Sequence, residues 1–201
     1  MLEQAIERAD AAGVAAADVD TAATSLQRVR QAREGALAAL EAAMLGDAAS
    51  IGLAMVQQAV EAAAAAGGVT PSQTQAAATR VLEAALARKR SALVSDAAEA
   101  DALQAAIEVA TRMARSSEHR TLAKQAAVKL AEARAVEWQL LAVLDRMGLD
   151  SLVPTVIGAG FTTCSTVLDL DVDVLKSELK LTPLQSSELR NSVRDALNPP
   201  S

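Results

Sequence analysis

The sequence predicts an all-α protein in two parts: antiparallel, alanine-rich helix pairs over residues 1–137, then a compact five-helix domain over residues 138–198. Three features carry that prediction. Apolar residues of the first part recur mostly at three, four or seven, the spacing of one helix face. Capping residues stand where helical runs begin, and glycines where several end. At Trp138 the monotony stops: the only Trp, Phe and Cys arrive between residues 138 and 164, with three glycines and a proline.

The first part repeats itself. Leu2–Val14, Val56–Val69 and Leu103–Ala114 align on apolar-x-x-Ala-Ile/Val-Glu, with starts 54 and then 47 residues apart. Gly13 and Gly67-Gly68 are placed to end the first two helices through a left-handed residue, and the third breaks at Ser116-Ser117. A longer helical pattern follows each short one. In Ala16–Leu45, the residues Val19, Ala22, Leu26, Val29, Leu37, Leu40 and Met44 paint one face; Gly46 closes the helix and Asp47 is placed to cap the next. Thr70-Pro71-Ser72-Gln73 has a cap, a proline at the first helical position and Gln three residues on. Asp96-Ala97-Ala98-Glu99 offers the same reciprocal cap. The period and the aromatic positions differ from the 34-residue helical repeat. The first pair begins at residue 2 without a polar capping segment, an expected sign of a truncated or extended array. Alanine is the best helix former but buries little apolar area. Such helices gain stability by close approach over a long contact.

In the last third the elements shorten. Trp138–Met147 ends at Gly148, and the helix is expected to continue from the one carrying Leu122, Leu130 and Val136. Ser151–Gly158 has Pro154 in its first turn, Thr162–Leu168 and Asp173–Leu179 follow, and Thr182-Pro183-Leu184-Gln185 opens a final helix to Leu197. The order of Leu144, Met147-Gly148-Leu149, Leu152, Val156-Ile157, Gly160-Phe161, Val167-Leu168-Asp169-Leu170, Leu175, Leu179, Leu181, Leu189, Val193 and Leu197 resembles the sterile alpha motif (SAM) domain. The resemblance covers residues 138–198. It implies that Phe161, Leu168 and Leu189 are buried together, and that the domain binds another SAM domain or a copy of itself. Head-to-tail association in that family implies an acidic middle surface, here Asp169, Asp171, Asp173 and Glu178, meeting a basic surface, here Lys180, Arg190 and Arg194. The alternative use of the aspartates is to cap the fourth helix. Where many SAM domains open the last helix with a basic step, this chain has no charge until Glu188.

Composition narrows the function classes. Half the residues are apolar and 22% are charged, which fits a folded chain. Residues 1–137 hold 14 basic and 17 acidic side chains, and residues 138–201 hold 5 and 8. Neither part has the cationic excess that phosphate binding needs. An RNA-binding regulator, which some SAM domains are, is therefore the second reading. Two basic clusters, Arg28, Arg30, Arg33 and Arg88, Lys89, Arg90, fall in the long helical patterns; they suit either an acidic partner or a solvated face with Glu34 and Glu83 nearby.

One histidine (His119, expected in a turn) and one cysteine (Cys164, expected half-buried) cannot build a His/Cys metal cluster. The run Asp169, Asp171, Asp173 lacks the glycine and twelfth-position Glu of a calcium loop. Gly158-Ala159-Gly160 has no preceding strand for a dinucleotide. The expectation is a non-catalytic interaction or scaffold protein without cofactor or small-molecule substrate. With no signal-peptide core, no membrane-spanning run and a single cysteine, the expected setting is cytoplasmic.

Overall fold

The computed structural model describes residues 2–48, 50–114 and 116–198, and among them every regular element is helical. In chain order these are α1 (Leu2–Ala11), α2 (Ala16–Met44), α3 (Leu53–Ala65), α4 (Pro71–Ala87), α5 (Arg90–Val94), α6 (Ala97–Met113), α7 (Ser117–Ala135), α8 (Trp138–Arg146), α9 (Val153–Gly158), α10 (Cys164–Asp169), α11 (Val172–Leu179) and α12 (Pro183–Leu197). A 3-10 turn at Asp150–Leu152 precedes α9. No helix among the described residues is long and apolar enough to cross a membrane.

Local chemistry explains most boundaries. Thr70 and Thr182 both form complete capping boxes with Gln73 and Gln185, each with proline in the first turn. Gly13, Gly67 and Gly148 adopt φ of 78°, 68° and 71°, the left-handed exits that let α1, α3 and α8 end. Lys180 takes the same role after α11 at φ 54°, without glycine's freedom.

The three pairs α1/α2, α3/α4 and α6/α7 double back through short connections, but they hold together chiefly between pairs. The contact of α4 with α6 is more extensive than that of α4 with its own partner α3. Two cores result. In the first, eleven of the twenty-one described buried residues are alanine, with Leu40, Leu53, Leu82, Leu93 and Leu103 among the large ones. The second, formed by α8–α12 with Ala133 and Val136, has one alanine in sixteen. Small side chains let helix axes approach closely, whereas the second core gains from burying whole Leu and Val side chains, each about 1.5–3 kcal/mol. Phe161 and Leu189 are buried in this second core, and Leu168 packs against it partly buried.

Several expectations need correction. The third "short" helix, α6, is as long as α4. On α2 only Leu40 is fully buried and Val29 is 60% exposed, because the N-terminal part of α2 packs mainly on the ten-residue α1. Asp47 caps no helix among the described residues: α3 starts six residues later, and the carboxylate that answers its free N–H groups comes from Glu99, which accepts from Leu53 at 3.1 Å and Ala54 at 3.3 Å. Glu99 thus leaves Asp96 to cap α6 alone, through Ala98 N–H. The long helix bearing the second basic cluster stops at Ala87; Arg88 and Lys89 are extended, and Arg90 opens the separate α5. Finally, α7 and α8 are not continuous. Val136 and Glu137 are extended between them.

Candidate interaction surface

The seven charged residues singled out from the sequence separate into two behaviours. Asp169 ends α10, Asp171 occupies the N-cap position of α11, Asp173 lies in its first turn and Glu178 near its end. All four are exposed, and none makes an ion pair or side-chain hydrogen bond with the described residues. Asp171 stands where a capping residue would, yet its side chain makes no cap hydrogen bond. The N-terminal dipole of α11 still favours carboxylates there. Their full hydrogen-bonding capacity faces outward.

The basic residues divide. Lys180 and Arg194 are exposed, and Arg194 reaches only Asn191 Oδ1, at 3.5 Å. Arg190 is half-buried and donates to the Leu168 carbonyl at 2.8 Å, tying α12 to the C-terminal end of α10. Its Nε is buried without a partner. Arg190 therefore ties α12 to α10, and of the three cations only Lys180 and Arg194 are exposed. Leu184, 67% exposed at the start of α12, and Val174 on α11 add apolar area to the same pair of helices.

The two basic clusters also differ. Arg28, Arg30 and Arg33 project from the exposed part of α2, and Arg33 lies over Gly68, where a Cβ would come within 2.8 Å of its Cγ. Arg88, Lys89 and Arg90 are instead the meeting point of the two cores. Arg88 pairs with Glu99 at 2.5 Å and donates to the Ile51 carbonyl. Arg90 pairs with Glu132 at 2.7 Å and Asp150 at 2.5 Å. Burial opposes its charge, but the hydrogen bonds it donates to Glu132 and Asp150 outweigh that and hold the guanidinium above its ordinary value. Lys89 donates to the Asp145 carbonyl at 2.9 Å, and Ser91 N–H to the Asp145 carboxylate at 3.1 Å. Lys129 donates to the carbonyls of Leu86 and Arg88 at the end of α4, and burial, then repulsion from Arg90, lowers its pKa. Every partner in this network lies more than ten residues away in sequence, so only the run of three cations hinted at it.

His119 lies in the first turn of α7 rather than in a turn; its ring Nδ1 is 2.6 Å from Oγ of Ser116, which caps the helix. Cys164 is fully buried, not half-buried, at the start of α10, with its N–H donating to Glu137 at 2.6 Å. Burial and the Glu137 carboxylate push its thiol up to about 11. At pH 8 the thiol is thus protonated, and a disulfide reagent should modify it only as fast as the fold opens. Its contribution to stability is complete below the ordinary thiol range, about pH 8.5, and is lost as pH rises towards 11. Alkylation rate against pH measures this, and immediate reaction at pH 8 would contradict it. No group of three or more His, Cys, Asp or Glu among the described residues is placed to hold a metal. The larger concavities are open grooves, one of about 450 Å³ bordered by Leu86, Lys124, Val128 and Glu132.

No protein-family model, curated protein or solved structure matches this chain.

Proposed function

We propose that the chain is a non-catalytic interaction protein, in which residues 138–198 act as a SAM-like domain that associates with a copy of itself through charge. The observation that supports this reading most is the set Asp169, Asp171, Asp173 and Glu178: four exposed carboxylates on two consecutive helices, without side-chain partners among the described residues. What sets them apart from other exposed carboxylates such as Glu34 and Glu41 is their grouping within ten residues beside Lys180. Lys180 and Arg194 supply the opposite charge, and Leu184 and Val174 supply apolar area that exposed ion pairs alone lack. Contact between unlike surfaces is heterologous and extends into chains when the rotation does not close.

Charge reversal tests the pairing. Asp171→Lys with Asp173→Lys, and separately Lys180→Glu with Arg194→Glu, should each abolish association. An equal mixture of the two variants should recover a complex, since each retains one surface of wild-type sign. If either variant alone associates as well as the wild type, the proposed surfaces are wrong.

A further inference from the structure

The break between α7 and α8 has no local cause. From Ser117 to Arg146 the chain contains neither glycine nor proline, and the residues around the break are those of a helix interior. Yet Val136 (φ −115°, ψ 140°) and Glu137 (φ −55°, ψ 134°) are extended. Glu137 N–H donates to Thr162 O at 2.8 Å, its carboxylate accepts from Cys164 N–H at 2.6 Å, and no side chain caps α8. The bent arrangement exchanges the helical bond of the Glu137 N–H for the one to Thr162 O and forfeits the three that a continuous helix would run from N–H groups 138–140 to carbonyls 134–136.

Contacts from distant parts of the chain hold the bend. α5 packs on α7 and α8, and α9 on α7. Arg90 pairs with Asp150, Lys89 with the Asp145 carbonyl, and Ser91 N–H with the Asp145 carboxylate. These same contacts leave a cost inside the junction. Asp145 is only 5% exposed and its Oδ1 has no partner, and Asp150 Oδ1 is likewise buried and unpartnered.

We propose that Val136-Glu137 is a hinge with two settings: the bent one described above, and a straight one in which residues 117–146 form a single helix. In the straight setting α8–α12 swing off α5 as a unit, because Leu140, Leu141 and Leu144 keep α8 in the second core. Four main-chain hydrogen bonds form and Asp145 and Asp150 reach solvent, while the bonds of Glu137 to Thr162 and Cys164, the packing of Ala133 and Val136 in the second core and the junction contacts are given up. The hinge sets the direction in which the C-terminal helices are presented relative to the helix pairs.

Proline at position 138 separates the settings. Trp138 is the first residue of α8, where proline is favoured, and Glu137 before it is already extended, as a residue preceding proline must be. Trp138 is 48% exposed and lies outside the buried core, so its replacement leaves that core filled. In a continuous helix the same proline clashes and loses a hydrogen bond, which reduces the straight population on the order of a hundredfold. Lys89→Ala with Asp150→Asn acts the other way, removing two junction contacts while Arg90 keeps Glu132. The experiment is single-molecule energy transfer at nanomolar concentration, on the full chain with Cys164→Ala and dyes at Ala62→Cys and Asp195→Cys. Two transfer populations are expected, the second enlarged by Lys89→Ala/Asp150→Asn and abolished by adding Trp138→Pro, with helix content retained. One population in both the parent and Lys89→Ala/Asp150→Asn overturns the hinge, as does a second population that survives Trp138→Pro. If the double junction variant does not fold, Asp150→Asn alone supplies the same comparison.

Discussion

Replacing Arg90 with alanine is expected to cost about 3 kcal/mol, the low end of the range for breaking a buried ion pair from one side, because Asp150 is partly exposed. Arg90 is the one cation that pairs with both Glu132 and Asp150, and its side chain is mostly buried. Removing it leaves a carboxylate on α7 and another on the 3-10 turn with only the more weakly coupled Lys129 to offset them. The loss belongs to the uncompensated charges and not to the pair as such. Arg90→Met combined with Glu132→Leu and Asp150→Asn should therefore recover much of it, since apolar replacement of a buried network is often neutral. Denaturant unfolding of the single and triple variants measures both effects. A single variant within about 0.5 kcal/mol of wild type, the range of ordinary surface substitutions, would mean that the junction is solvated.

Phe161→Ala should be at least as costly, about 3–5 kcal/mol, as large aromatic truncations in cores are. Phe161 is the only phenylalanine, 9% exposed, and sits in the second core directly after the left-handed Gly160, with its N–H bonded to Val156 O at 2.9 Å. Leu184→Ala is the matched control: the larger exposure of Leu184 predicts a change within about 0.5 kcal/mol. Thermal unfolding of the two variants distinguishes a core position from a surface one. A loss below roughly 1 kcal/mol for Phe161→Ala, well short of the usual cost, would remove Phe161 from the core.

What could be read from the sequence was whatever a short stretch decides by itself. The capping boxes at Thr70 and Thr182, the exits at Gly13, Gly67 and Gly148, and the order of helices after Trp138 all rest on neighbouring residues. What escaped depends on partners far along the chain. Glu99 looked like the return half of its own cap, but it serves α3 and Arg88. Arg88 and Lys89 looked helical, and they are drawn out of α4 by groups up to 56 residues away. The residues around Glu137 read as one uninterrupted helix, and Thr162 and Cys164 break it. The charged surface was half legible for the same reason: exposure of the four carboxylates follows from their polar character, whereas the bond from Arg190 to the Leu168 carbonyl needs the packing of α12 on α10.

Association of the C-terminal helices through complementary charge would be visible in light scattering of the full chain across concentration. The predicted result is a weight-average mass that rises with concentration at low salt and falls back towards monomer as salt is added, since exposed charges are screened over about 8 Å at physiological ionic strength. Asp171→Lys with Asp173→Lys should stay monomeric throughout. A wild-type chain that remains a monomer at low salt, at concentrations where weak domain contacts form, would contradict the claim and leave the exposed carboxylates to a different protein partner.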